Sequence, residues 1–234
     1  MRLDKFLKET GVCSRSDVKK ILKNGSLSVN GKIIKNADFK VDENNDEVIY
    51  NGNRIEYQKF IYVMLNKPAG YLSATEDKNQ MTVLDLVSEY RHKELFPFGR
   101  LDKDSVGLLI LSNDGKLAHD LLSPKKHVDK KYYLKVKGKL IDEDVESFKN
   151  GIALEDGYIC KSAILEILNS DEISECYATI SEGKFHQLKR MFKAIGKEVI
   201  YLKRISFGNI ILDDNLKEGE YRILSDEEIF LLKQ

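Results

Sequence analysis

The sequence predicts an α+β protein of two domains, residues 1–57 forming a small module of helices and a hairpin and residues 58–234 a larger domain on a mixed, largely antiparallel sheet. Three observations carry this. Apolar residues at helical spacing open the chain and give way to a hairpin signal at Asn30-Gly31. Later, short apolar runs between turn residues read as strands. One of them, Leu108 to Leu111, is continuous enough to be buried on both faces.

The totals fit a packed globular chain: 234 residues, 42% hydrophobic, with 38 Lys plus Arg against 38 Asp plus Glu. A balanced total says nothing about a polyanionic partner; only the distribution of charge can. Cys13, Cys160 and Cys176 are far apart and lack C-x-x-C spacing, which argues against a zinc site, a redox dithiol or a disulfide framework. The start has no apolar signal core and no apolar run is long enough for a membrane span, so a cytoplasmic protein without a membrane partner is expected.

In order, Leu3, Phe6 and Leu7 recur at helical spacing and Gly11 stops the run. Ser14-Arg15-Ser16-Asp17 reads as an N-cap opening a helix that carries Val18, Ile21 and Leu22 and ends at Asn24-Gly25. Arg15, Lys19, Lys20 and Lys23 fall on the arc opposite the apolar residues. Asn30-Gly31 joins Leu27–Val29 to residues 32–34 as a type I′ hairpin. Residues 1–40 hold ten Lys or Arg against four Asp or Glu, and residues 41–57 one against five. The basic side of the module is its helical side, which suits solvation or RNA contact.

Tyr62 to Leu65 reads as a buried strand ended by Asn66-Lys67-Pro68-Ala69-Gly70. The stretch Phe98-Gly99-Arg100-Leu101-Asp102-Lys103-Asp104-Ser105-Val106-Gly107 then leads into the doubly buried strand, which an Asn113-Asp114-Gly115 turn closes. Asp102 sits in the entrance loop, and Arg100 and Lys103 bracket it. Cations beside a carboxylate keep it ionised where water is partly excluded, as a carboxylate nucleophile requires; a solvated loop acid has the same pattern.

A helix is expected over residues 116–122. Residues 123–140 then hold seven lysines and one acid, with Tyr132 to Val136 as a strand. Lysines suit an exposed sheet edge; lysines interleaved with tyrosine also suit a nucleic-acid backbone track with a stacking platform. Alternation sends Tyr132 and Tyr133 to opposite faces. Residues 151–154 and 158–168 read as β-rich runs around Glu155-Asp156-Gly157, and residues 175–181 as another strand. Next, Leu188, Met191, Phe192 and Ile195 have core spacing on a helix whose other arc holds His186, Lys189, Arg190 and Lys193. Arg204 to Leu212 reads as a strand, and Ser225 caps a final helix.

The chain carries two resemblances. The opening helix, basic helix and hairpin resemble an S4 RNA-binding domain (the α-L fold), through Ser14-Arg15, Lys19-Lys20 and Val29-Asn30-Gly31. Gly99-Arg100-Leu101-Asp102 with its Ser-x-Gly-Leu run, Leu65-Asn66-Lys67-Pro68-x-Gly70-Tyr71, and Gly183-Lys184-Phe185-His186-Gln187-Leu188-Lys189-Arg190-Met191 resemble the motifs of the pseudouridine synthases, in their RsuA-like branch. That resemblance implies Asp102 as nucleophile, Lys189 as its basic partner and Tyr132 as the aromatic residue against the target base. Arg100, Leu188, His186 and Gln187 are then active-site support. Arg2, Ser14, Arg15, Lys19, Lys20, Lys23, Lys130, Lys131 and Arg190 are candidate RNA contacts. The family implies no cofactor and no metal.

The His186-Gln187 pair and Ser123-Pro124-x-x-His127 favour small-subunit (16S) ribosomal RNA, or an assembly intermediate of that subunit, as the partner, with the protein acting as a monomer. A 23S ribosomal RNA enzyme of the same branch and a non-catalytic S4-type RNA-binding protein are the alternatives.

Overall fold

The computed structural model describes residues 1–13, 17–123 and 126–234. By compactness it divides into one unit of residues 1–61 with 87–95, and a second of residues 62–86 with 96–234.

In the first unit, α1 (Leu3–Glu9) and α2 (Val18–Lys23) pack on a four-stranded sheet of β1 (Leu27–Val29), β2 (Lys32–Ile33), β3 (Val48–Tyr50) and β4 (Asn53–Ile55), in the order β2-β1-β3-β4. The helical spacing places Leu3, Phe6, Leu7, Val18, Ile21 and Leu22 in the core, against Leu27, Val29 and Val48 from the sheet. Asn30 and Gly31 both take positive φ, 50° and 76°, as a type I′ turn demands. The same dipeptide recurs as Asn51-Gly52, so the acidic stretch is itself a hairpin. A 3-10 helix, Ser88–Lys93, belongs to this unit, and Lys93 Nζ donates to Gln58 O at 2.7 Å.

The second unit is a nine-stranded sheet. It comprises β5 (Tyr62–Lys67), β6 (Phe96–Pro97), β7 (Val106–Ser112), β8 (Lys130–Lys137), β9 (Ile164–Asn169), β10 (Ile173–Ile180), β11 (Glu198–Phe207), β12 (Ile210–Ile211) and β13 (Tyr221–Ile223). The helices are α3 (Gly115–Leu122), α4 (Asp142–Asn150), α5 (Gln187–Ala194) and α6 (Asp226–Lys233). The main path runs β13-β5-β7-β11-β8-β10-β9, with β6 on β7 and β12 on β11. Among the described residues the β7–β11 strand pairing alone is parallel, so the sheet is mixed and largely antiparallel. Every residue of β5 and β7 is buried.

Several local expectations change. The Asn113-Asp114-Gly115 segment closes β7 as expected, with one addition: Asp114 N-caps α3, its side chain accepting from Leu117 N at 3.1 Å. The basic strand β8 is interior, between β11 and β10, not an edge. Between residues 151 and 163 there is only an Ala153–Ile159 bridge before β9 begins. The strand expected from Arg204 instead starts at Glu198 and breaks at Gly208, leaving β12 as a separate short strand. Helix α4 was not expected; its signal was Asp142-Glu143-Asp144, whose Asp144 side chain accepts from Ile141 N at 3.0 Å.

Candidate active site

Phe98 N donates to Ile110 O at 2.8 Å, which fixes where the chain leaves the sheet, and residues 99–105 then form the loop before β7. The loop is clamped from below. Lys67, the fully buried last residue of β5, aims its ammonium at the loop's carbonyls, 3.0 Å from Asp102 O, 3.3 Å from Lys103 O and 2.8 Å from Ser105 O. Ser73 Oγ donates to Leu101 O at 2.8 Å and accepts from Leu101 N at 3.0 Å, and Gly70 N donates to Lys103 O at 2.7 Å. The 66–70 segment is therefore a clamp on the Asp102 loop. Burial, partly offset by the charges of Asp104 and Asp102, pushes the Lys67 ammonium down to about 8.

Gly107 explains its own identity: it has φ 99°, and a Cβ there would stand 2.3 Å from Arg204 O on parallel β11. No other residue lets the two strands approach so closely.

Helix α5 brings the second half. His186, at φ 49°, lies immediately before it, and the Gln187 side chain ties the preceding loop, accepting from Lys184 N at 3.0 Å and donating to Glu182 Oε2 at 3.0 Å. Lys189 Nζ lies 3.2 Å from Asp102 Oδ2 and 2.6 Å from Asp104 Oδ1, so one ammonium serves two carboxylates. Burial would lower the Lys189 ammonium, but the hydrogen bond to Asp104 and the charge of Asp102 together raise it. The hydrogen bond from Lys189, set against partial burial, holds the Asp104 carboxyl below its ordinary range. His186 Nε2 is 3.6 Å from Asp102 Oδ1, and the Phe185 ring stacks on the imidazole with centroids 3.8 Å apart.

Asp102, Arg100, Tyr132, His186, Gln187 and Leu188 line one small pocket. Tyr132 and Leu188 are its buried apolar walls and Arg100 stands exposed at its rim. The sequence thus foresaw this grouping, apart from the clamp of Lys67 and Ser73. For these two the available signal was Lys67 itself, a cation ending a strand whose first four residues are apolar, which burial requires to be satisfied.

The candidate RNA contacts scatter. Lys19, Lys20 and Lys23 are exposed on α2, and Lys20 pairs with Asp17 at 3.2 Å. Arg2 pairs with Asp4 and Asp38. Ser14 and Arg15 lie outside the described residues. Lys131 bonds Glu166 at 2.9 Å and covers the Tyr177 ring, on the opposite face of β8 from Tyr132. Arg190 is held by Asp156 at 2.6 Å, away from Asp102. Lys130, by contrast, shares Tyr132's face.

Residues 1–48 match the S4 domain model, and residues 61–194 match the RNA pseudouridylate synthase model. The chain belongs to the RNA pseudouridylate synthase family. Among its relatives in that family, the uncharacterized RNA pseudouridine synthase YtzG of Bacillus subtilis (strain 168) is 49% identical over 236 residues, covering 100% of this chain and 99% of YtzG. Ribosomal small subunit pseudouridine synthase A of Escherichia coli (strain K12) is 38% identical over 231 residues, covering 98% of both chains. A crystal structure of a pseudouridylate synthase superposes with TM-score 0.70 at 34% identity, covering 99% of both. This synthase is thus an enzyme acting on RNA, with an N-terminal S4 domain followed by its catalytic domain.

Proposed function

We propose that this synthase converts a uridine of small-subunit (16S) ribosomal RNA, naked or in an assembling particle, to pseudouridine, with Asp102 as the nucleophile. The observation that carries the assignment is the half-buried Asp102 carboxylate, 3.2 Å from Lys189 in a pocket walled by Tyr132 and Leu188. The full-length similarity to a ribosomal small subunit synthase supports the choice of RNA. The same reading makes the enzyme a monomer in the cytoplasm.

The chemistry comes from these parts. The uridine must leave its stack, which costs a few kcal/mol; contacts to the backbone and stacking of the uracil on Tyr132 offset this. Arg100, exposed at the rim, fills the space the base vacates. Asp102 then attacks, at C1′ of the sugar or C6 of the ring, and the N1–C1′ bond breaks. The uracil turns in the pocket and C5 bonds to C1′; the bond to Asp102 breaks to return the carboxylate, the C5 proton leaves to solvent, and N1 takes up a proton. Lys189, paired with Asp102 at 3.2 Å, keeps it aimed for the attack. Where Arg would grip a carboxylate with two bonds, Lys offers a point charge, which is why it can be shared with Asp104.

The test is tritium release from uracil-C5-labelled ribosomal RNA, as transcript and as partial small-subunit particles, with wild type beside Asp102→Asn. Release by wild type alone, with RNA affinity of the variant within a few-fold, is expected. Equal release by the variant removes Asp102 from the chemistry. Release only on 23S RNA reassigns the substrate, and silence on every RNA with binding intact leaves a tethering protein.

A further inference from the structure

A second, larger cleft of about 520 Å³ adjoins the Asp102 pocket and shares Arg100, Tyr132, Gly183 and Lys184 with it. Its charge is one-sided. Arg100, Lys130, Lys161, Lys184 and Arg204 line it against a single carboxylate, Glu182. That carboxylate is already spent, accepting from Tyr158 Oη, Lys161 N and Gln187 Nε2.

Arg204 is the unusual member. It is 2% exposed, its Nε donates to Leu108 O at 2.7 Å, and its Nη2 has no hydrogen-bond partner among the described residues. No carboxylate is within ion-pair distance of it among the described residues. The guanidinium also lies over the Phe207 ring, 5.6 Å from its centroid, and a buried guanidinium with one carbonyl and a ring as partners is expensive unless something negative compensates it. Lys130, on the neighbouring strand, hydrogen-bonds Val128 O alone among the described residues and covers the Phe207 ring. Burial first, then the charge of Arg204, pushes its ammonium down to about 8, so it too is a cation awaiting an anion. Lys161 stands exposed at the mouth, with the His127 ring 2.9 Å away.

We infer that this cleft is a phosphodiester subsite, holding the backbone of a nucleotide next to the target uridine through Lys130 and Lys161 over the buried charge of Arg204. The inference rests on the RNA-modifying reading of the Asp102 pocket, because the shared wall of Arg100 and Tyr132 makes one strand continuous between the two. The subsite thus grips what every RNA presents, so it supplies affinity and register, with no reading of sequence.

The experiment measures binding of small-subunit ribosomal RNA across a salt series, in the full chain carrying Asp102→Asn so that turnover plays no part. Lys161→Gln, an exposed position, is the deciding variant; Lys130→Gln and Arg204→Gln accompany it, each with a thermal melt. Lys135→Gln, on the other face of β8 and paired with Glu175 at 3.3 Å, is the control for total charge. Expected is a loss of about 5-fold or more for Lys161→Gln and for Lys130→Gln, and a log–log salt slope smaller by about 0.7 for each phosphate no longer neutralised, with the control unchanged. Wild-type affinity and slope in both lysine variants, or an equal change in the control, overturns the subsite. Tritium release by the same lysine variants in the otherwise wild-type chain separates the two readings. Release with an unchanged KM sinks the subsite and leaves the catalytic reading standing; no release from any RNA by wild type, with affinity lost in the variants, does the reverse.

Discussion

Replacing Lys67 by Met tests whether Asp102 is held in place from beneath. Methionine nearly matches the buried aliphatic stem, so little cavity forms. What goes is the ammonium, and with it the two short charge-assisted bonds to Asp102 O at 3.0 Å and Ser105 O at 2.8 Å. At about 1.5–3 kcal/mol each these sum to about 3–6 kcal/mol. Against that stands the cost of burying the charge, which lowers the ammonium from 10.5 to about 8, equivalent to about 3 kcal/mol. The net destabilisation is about 0–3 kcal/mol, so the variant folds.

Activity responds differently, because the loop loses the donor on which its carbonyls converge. A displacement of Asp102 by ~1 Å costs on the order of 100-fold in rate. Urea denaturation and single-turnover tritium release read the two effects separately. A folded Lys67→Met enzyme with turnover within a few-fold of wild type would falsify the clamp. Stability against pH supplies a further check. A folded-state value below the unfolded one means that stabilisation is full above pH 10.5 and lost as pH falls through about 8. Wild type therefore gains stability over Lys67→Met across that interval as pH rises.

Other outcomes rest on single features. Gly107→Ala places a methyl 2.3 Å from Arg204 O at a φ of 99°, and strain plus overpacking destabilise it by about 2–6 kcal/mol in urea; a loss under about 1 kcal/mol contradicts the close approach of β7 and β11. Asp104→Asn removes the hydrogen bond that does most to raise the Lys189 ammonium, so that ammonium titrates lower and the basic limb of the pH–rate profile moves to lower pH; a limb that stays or rises refutes the shared ammonium. Lys19→Glu with Lys23→Glu, both exposed on the S4 helix α2, should weaken RNA binding by about 10-fold or more and flatten its salt dependence. Wild-type binding there means the basic arc is only solvated.

How much of this was legible in the chain depends on how local each signal is. Helical spacing around Leu3, Phe6 and Leu7, the Asn30-Gly31 turn and the doubly buried β7 were readable because neighbours in sequence fix them. So was the separation of Tyr132 from Tyr133, since strand alternation leaves no choice. The end of β7 at Asn113-Asp114-Gly115 was legible too, but not that Asp114 caps α3, because an Asp before a helix and an Asp in a turn use the same residues; here α3 begins at Gly115. The extent of β11 was misread because its early residues Glu198 to Tyr201 take their strand conformation from pairing with β8, a partner far away in the chain.

The sequence by itself determined which groups were available: an aspartate among cations, a tyrosine on a basic strand, and a lysine on an amphipathic helix. Only the tertiary structure decided that they meet. Asp102 and Lys189 come within 3.2 Å because Gly107 lets β7 lie parallel to β11 while α5 precedes that strand. No local pattern encodes such a crossing, since its stabilisation comes from burying surface between segments distant in the chain. The same applies to Lys67 and Arg204: nothing in their neighbours in sequence tells that one ends beneath a loop of carbonyls and the other beneath a basic cleft.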